Sequence, residues 1–295
     1  MAGNLGKEIC KKVFIPPKTN LKFISIVSGY KSKIFVNPKK IPILDIYYKN
    51  TLFRNVKKIK EGGFGEIYLV HDDENSVIVK VPLEDFEEEP MVIEKVLRGY
   101  THDIIPYRVV YDQFKNPFVV MQEANGTLDD LLNSEKITNV FRQRVIKFYT
   151  KAIYTFYKDG LVFTDMKLDN LLYQCTEKGL SLFFGDIGSF SRLNSDDFTR
   201  TYFPPEDLEE NARVDKNFVL FTIGILIVEV YGVYLPDQKK IKTLNAYYKN
   251  FYLEVEKNIK SKIKDKKLAN LCLALLSWDK TIREDLGVKK VYDML

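Results

Sequence analysis

Histidine is almost absent from this 295-residue chain, which holds only His71 and His102. A His-rich metal site or a Ser-His-Asp triad is hard to assemble from two such residues. Cysteine is scarce as well. Cys10, Cys175 and Cys272 lie far apart, which is the pattern of neither a disulfide framework nor a paired-thiol metal site. It fits a reducing intracellular compartment, cytoplasmic or nuclear. Internal repeats and low-complexity tracts are missing. No signal peptide is expected, because no adequate apolar run follows Lys7, Lys11 and Lys12. The one long apolar run, Phe218 to Leu235, carries Glu229 and is barely long enough to cross a bilayer. It reads as a buried core helix, so no transmembrane segment is expected.

What is present is an ordinary globular composition, 45% hydrophobic and 29% charged, in a chain long enough for two sizeable cores. The charge is unevenly placed. Residues 1–60 carry about +12 and the remainder about −7, for a formal net charge of +5. The basic segment is either a solvated extension or a surface for an acidic partner, nucleic acid or a membrane.

Residues 1–45 read as irregular or weakly strand-forming, punctuated by Pro16, Pro17, Pro38 and Pro42. Strands are expected at Val56–Ile59, Glu66–His71, Val77–Val81 and Phe118–Met121, with a helix starting near Pro90. After Asn125-Gly126 the spacing of apolar residues becomes helical. It includes a long helix from Val140 to Tyr157 that stops at Asp159-Gly160. Two short strands, Leu171–Tyr173 and Leu180–Phe184, interrupt the helices. The fold class expected is α+β, with three segments: a basic extension (1–49), a β-rich part (50–123) and a mainly helical part (124–295).

Four elements carry chemistry. Gly62, Gly63, Phe64 and Gly65 form a glycine turn between two strands, where backbone can approach a phosphate closely. Lys80 follows fifteen residues after Gly65 on a β-branched strand, within reach of phosphates beneath that turn. In Thr164-Asp165-Met166-Lys167-Leu168-Asp169-Asn170, Asp165 can accept a proton from an attacking hydroxyl. Lys167 can neutralise a transferred phosphoryl group, and the Asn170 amide oxygen suits a hard cation. Asp186, in Gly185-Asp186-Ile187-Gly188, offers a second metal position. Any one of these has a bland structural reading as a hairpin turn or a surface charge. The four in this order do not.

The glycine loop, strand lysine, D-x-K-x-x-N and D-x-G together resemble the eukaryotic protein-kinase family over about residues 50–295. The resemblance implies a bilobal kinase fold and ATP-dependent phosphorylation of protein hydroxyls. Asp165 would be the base, with Asn170 and Asp186 holding Mg²⁺, for which Mn²⁺ could substitute. Lys167 is typical of Ser/Thr rather than tyrosine kinases. It further implies nucleotide contacts from Gly62, Gly63, Phe64, Gly65 and Ile67, and from Lys80 at the phosphates. Adenine would lie against Ile78, Leu172 and a hinge containing Met121, Gln122 and Ala124. A helix glutamate should pair with Lys80; Glu89 and Glu94 are candidates. Glu89 is preferred because Ile93, four residues on, is apolar whereas Arg98 follows Glu94. Tyr202-Phe203-Pro204-Pro205-Glu206 resembles the A-P-E segment, and Arg283 stands where the family pairs an arginine with that glutamate. The composition, rich in Lys, Asn, Ile, Tyr and Phe, and the compact core are similar to kinases of large DNA viruses. That likeness implies action in a host cell or virion.

Several positions depart from the family pattern. Lys60 replaces the first loop glycine, and Ile187 replaces the phenylalanine of D-F-G. Phe163-Thr164 replace His-Arg of H-R-D, which removes the usual receptor for a phosphorylated activation loop, although Thr199, Thr201 and Tyr202 lie in that loop. Ile78 replaces an alanine and would crowd adenine. Val219 replaces the central-helix aspartate that braces the catalytic loop, with Asp215 a partial substitute. Three functions are therefore expected in competition: an active Ser/Thr protein kinase, a pseudokinase scaffold without turnover, and a kinase-like small-molecule phosphotransferase.

Overall fold

The β-branched run Ser76–Pro82 is the centre strand of an antiparallel sheet of five, as suits side chains that favour a pleated, half-buried surface. The computed structural model describes residues 34–36, 44–48, 51–53, 55–62, 65–71, 76–82, 97, 100, 102–111, 117–134, 137–176, 179–195, 201–208, 213–238 and 241–295. Gly63, Phe64, Glu89, Glu94, Thr199 and the helix expected from Pro90 lie outside them.

The strands in chain order begin with a small antiparallel sheet, β1 (Ile34–Val36), β2 (Leu44–Tyr48) and β3 (Thr51–Phe53). Strand β1 and the start of β2 fall in the segment read as irregular or weakly strand-forming. The five-stranded sheet follows: β4 (Asn55–Gly62), β5 (Gly65–His71), β6 (Ser76–Pro82), β7 (Tyr107–Tyr111) and β8 (Pro117–Gln122), in the order β4-β5-β6-β8-β7. Four of these strands match the expected ones. The fifth, β7, escaped the sequence reading.

Register sorts this sheet into two faces, because opposed residues share a side. Tyr68 stands opposite Val79, and Val70 opposite Val77. All four are buried in one core face. Ile67 opposes Lys80, and Ile78 stands between Leu69 and Met121, so these residues line the other face.

A two-residue strand, β9 (Gly126–Thr127), precedes the helical region. There follow β10 (Leu161–Phe163), β11 (Leu171–Thr176), β12 (Gly179–Phe184) and β13 (Phe190–Arg192). The helices are α1 (Leu128–Ser134), α2 (Asn139–Lys158), α3 (Lys216–Val230), α4 (Leu244–Tyr247), α5 (Leu253–Lys262), α6 (Lys266–Leu275), α7 (Lys280–Glu284) and α8 (Val288–Met294). The chain divides into two compact units. One is Met1–Gly126 with Leu172–Gly188, and the other is Thr127–Leu171 with Ser189–Leu295. The β11–β12 hairpin thus belongs with the β-rich unit. The fold class is α+β, as expected.

Helix α3 is the core of the second unit. Asp215 caps it by accepting a hydrogen bond from Phe218 N–H at 2.9 Å. Thirteen of its fifteen residues are buried, each large apolar one contributing roughly 1.5–3 kcal/mol. The helix stops at Val230, and Gly232 turns the chain with φ 64°. The apolar run 218–235 is therefore not one helix, and among the described residues no helix is long and apolar enough to cross a membrane. Helix α2 starts at Thr138, whose hydroxyl accepts from Phe141 N–H, and ends before Gly160, φ 74°. That stop is the expected one. Cys272 is a buried free thiol.

Candidate active site

In the β-rich unit, Gly62 pairs with Gly65 across the β4–β5 hairpin. Gly65 has φ 150°, a conformation that a side chain would disfavour. The hairpin is laced by Lys58, which pairs with Glu61 at 2.6 Å and with Glu66, while Tyr68 donates to Glu66. These hydrogen bonds from Lys58 and Tyr68 hold the Glu66 carboxyl below its usual range. Behind the hairpin, Lys80 is buried and forms an ion pair with Asp186 at 3.4 Å. Residues 106 positions apart in sequence are thus brought together.

Asp186 is placed by a strand end. Ile105 N–H donates to Phe184 O at 3.0 Å and Phe184 N–H to Asp103 O at 2.9 Å, which fixes the chain just before Gly185-Asp186. Gly185 lets Leu172 lie close, because a Cβ there would come within 2.5 Å of Leu172 Cδ1. Leu172 therefore rests on the backbone leading to Asp186. Ile78 is half-buried beside Met121 on the face that also carries Lys80. Met121 and Gln122 are buried, and Ala124 is half-buried. Gln122 N–H donates to Pro106 O at 2.9 Å, and Ser76 donates to Glu123, so the expected hinge is held on both sides.

In the helical unit, Asp165 is the hub. Lys167 donates to Oδ2, as does Asn170 Nδ2 at 2.9 Å, while Thr201 Oγ1 donates to Oδ1 at 2.6 Å. Burial pushes the Asp165 carboxyl upward. The hydrogen bonds from Lys167, Thr201 and Asn170, with the Lys167 charge, outweigh it and hold the carboxyl below its ordinary value. Asp165 is therefore ionised at neutral pH. Asn170 Nδ2 also donates to Asp165 O at 2.9 Å, which turns its amide oxygen away from Asp165. That oxygen and the Asp186 carboxylate are hard donors of the kind Mg²⁺ takes. Among the described residues no cluster of three or more His, Cys, Asp or Glu could hold a metal.

The loop around Asp165 is secured from both ends. Thr164 is buried, and both its N–H and its hydroxyl donate to Ser189 O, at 2.8 and 3.0 Å. Phe163 stacks edge-on against Phe190, centroids 5.1 Å apart. The two substitutions in H-R-D therefore have packing and hydrogen-bonding roles. Leu168 N–H donates to Glu229 Oε2 at 3.0 Å. Asp215, considered as a partial substitute for the missing central-helix aspartate, uses Oδ1 to cap α3, and among the described residues no hydrogen bond joins it to this loop.

The segment after the loop is fastened by three neighbours. Gln238 clasps Phe203 at both backbone atoms, accepting from its N–H at 2.7 Å and donating to its O at 3.2 Å, and Tyr247 donates to the same oxygen at 3.1 Å. Glu206 pairs with the fully buried Arg283, which also donates to Ser277 O. This is the pairing expected of those two residues. Ile187 is fully buried, the apolar packing role expected of it.

The sequence reading missed Thr201 as a partner of Asp165, Gln238 as a clasp and Glu229 as a loop contact. Glu229 did carry a signal, a lone acid in an apolar helix. Gln238 and Thr201 carried none.

A protein kinase domain model matches residues 53–290 of the chain. Serine/threonine-protein kinase CST20 of Candida albicans is 23% identical over 192 residues, covering 61% of this chain and 16% of that protein. Ribosomal protein S6 kinase 2 alpha of Xenopus laevis is 24% identical over 216 residues, 66% of this chain and 29% of the relative. A probable serine/threonine-protein kinase 2 of Plasmodium falciparum is 27% identical over 220 residues, 68% and 41% of the respective chains. The matched stretch spans less than half the length of each of these relatives.

Proposed function

Because the chain belongs to the protein kinase domain family, we propose that it is an active serine/threonine-protein kinase transferring the γ-phosphoryl group of ATP to protein hydroxyls. The observation that carries this reading is the Asp165 network. An ionised carboxylate is oriented by Lys167, Asn170 and Thr201, all around the residue that would receive the substrate proton. The acceptor hydroxyl attacks phosphorus, the bond to the β,γ-bridging oxygen breaks, and ADP leaves; the hydroxyl proton passes to Asp165. Lys167 offsets charge on the phosphoryl oxygens, and Lys80 holds the α- and β-phosphates, oriented by Asp186. Glu89 is the proposed helix partner of Lys80.

Asn170 and Asp186 would hold Mg²⁺, or Mn²⁺ in its place, which when bound supplies charge neutralisation at the phosphates. Adenine would contact Ile67, Ile78, Met121, Gln122, Ala124 and Leu172, with Gly62, Gly63, Phe64 and Gly65 over the phosphates. Lys167 supports Ser/Thr acceptors. The fastened Pro204-Pro205-Glu206 segment supports protein over small-molecule substrates. The basic residues 1–49 support a further contact with an acidic protein or nucleic acid, which salt-dependent polynucleotide binding before and after their deletion would test. ATP dependence supports an intracellular setting, and the composition supports a large DNA virus as the source.

A second reading, a pseudokinase scaffold, draws on Ile78, whose branched side chain shares a face with Lys80 and Met121. Transfer of ³²P from ATP to casein, myelin basic protein or the protein itself separates the two. Incorporation should require Asp165 and yield phosphoserine or phosphothreonine. Equal incorporation by wild type and Asp165→Asn would overturn the active-kinase reading.

A further inference from the structure

Helix α3 is apolar almost throughout, yet Glu229 is the one acid among its fifteen residues and stands between the fully buried Val228 and Val230. A carboxylate in such company is costly unless its oxygens are engaged. Its Oε2 accepts from Leu168 N–H at 3.0 Å. Leu168 opens the short 3₁₀ turn Leu168–Asn170, and an N–H at the start of such a turn has no partner within it. Lys167 immediately precedes this N–H. The turn closes at Asn170, which donates to Asp165 twice. The other charged or titratable groups that face Glu229 are Asp129 on α1, Asp169, Lys167 and the phenol of Tyr202. Val219, at the position where an acidic brace was expected, is fully buried and apolar.

We propose that Glu229 is the positioning residue of the catalytic loop: it pins Leu168 N–H and so fixes the turn that carries Lys167 and Asn170 beside Asp165. The pin itself stands on the contact; its effect on turnover rests on the kinase reading above. Hydrogen–deuterium exchange resolved at the Leu168 amide, in the full chain, reads the pin directly. Wild-type Leu168 should exchange on the order of a hundredfold more slowly than an unprotected amide, and Glu229→Ala should raise its rate roughly tenfold or more. Glu229→Gln keeps an acceptor oxygen of equal reach and should restore slow exchange.

In steady-state phosphotransfer to casein, Glu229→Ala should lower kcat about ten- to a hundredfold at unchanged KM, as misplacement of reacting groups does, and Glu229→Gln should recover most of it. An unprotected Leu168 in the wild type would overturn the inference without any variant. So would unchanged exchange in a folded Glu229→Ala protein, or a loss confined to KM, which would make Glu229 a substrate contact. If the wild type turns over nothing, the exchange result still decides the pin, and only the kinase reading fails.

Discussion

Replacing Glu229 by glutamine should change how stability depends on pH, by an amount the structure fixes. Burial pushes the Glu229 carboxyl from 4.5 up to about 7, opposed by the Leu168 N–H bond and helped by the charges of Asp129 and Asp169. At about 1.4 kcal/mol per tenfold change, that displacement is worth about 3 kcal/mol. Below pH 4.5 the group is protonated in both folded and unfolded chains, so it costs nothing. Between about 4.5 and 7 the unfolded chain loses its proton first. The folded state then binds more protons, and stability falls as pH rises. Above about 7 the loss is complete.

Glu229→Gln removes the ionisation and keeps an acceptor for Leu168 N–H, but adds an amide N–H₂ that needs a partner, at roughly 1 kcal/mol or more. The variant should therefore exceed the wild type by about 1–3 kcal/mol at pH 8 and lose that advantage by pH 5. The single tryptophan, Trp278, lies in the helical unit, so urea unfolding followed by its fluorescence reports the relevant core. A stability difference of the same size at both pH values would refute the desolvation argument.

Other substitutions test separate parts of the site. Gly185→Ala brings a Cβ within 2.5 Å of Leu172 Cδ1, so Leu172 must move, and the thermal shift produced by ATP with Mg²⁺ should shrink while the nucleotide-free protein stays folded. Ile78→Ala should do the opposite, enlarging that shift by relieving crowding beside Met121; an unchanged or smaller shift would remove Ile78 as an obstacle to nucleotide. Arg283→Met leaves the Glu206 carboxylate without its buried partner and should cost about 3–5 kcal/mol, measured as a lower urea midpoint by Trp278 fluorescence. Asp215→Ala removes the α3 cap and should cost about 1 kcal/mol by the same assay.

The legible parts of this protein were those written in local pattern. Strands β4, β5, β6 and β8 follow from β-branched runs between turn residues, and α2 follows from apolar spacing bounded by Thr138 and Gly160. The pairing of Glu206 with Arg283 followed from resemblance, not from pattern. Strand β7, a run of aromatic and β-branched residues between Pro106 and Asp112, carried local strand signals and was still passed over; its place at the sheet edge is set by pairing with β8. Asp215 was misjudged because a helix cap and a loop brace draw on the same residue type, and only the three-residue reach to Phe218 N–H distinguishes them. Thr201 and Gln238 act on partners 36 and 35 residues away, a relation that no local window contains. The carboxyl at 229 was visible as an anomaly, yet its target at Leu168 was not.

The clasp at Phe203 has a consequence for ionic strength. Gln238 and Tyr247 grip that residue through neutral amide and phenol groups, and the Glu206–Arg283 pair beside it has its guanidinium fully enclosed. Dissolved ions screen exposed charges over about 8–10 Å but have little purchase on uncharged or enclosed contacts. Concentrated salt should therefore leave this stretch of chain seated, even where it strips away partners that are held by surface lysines.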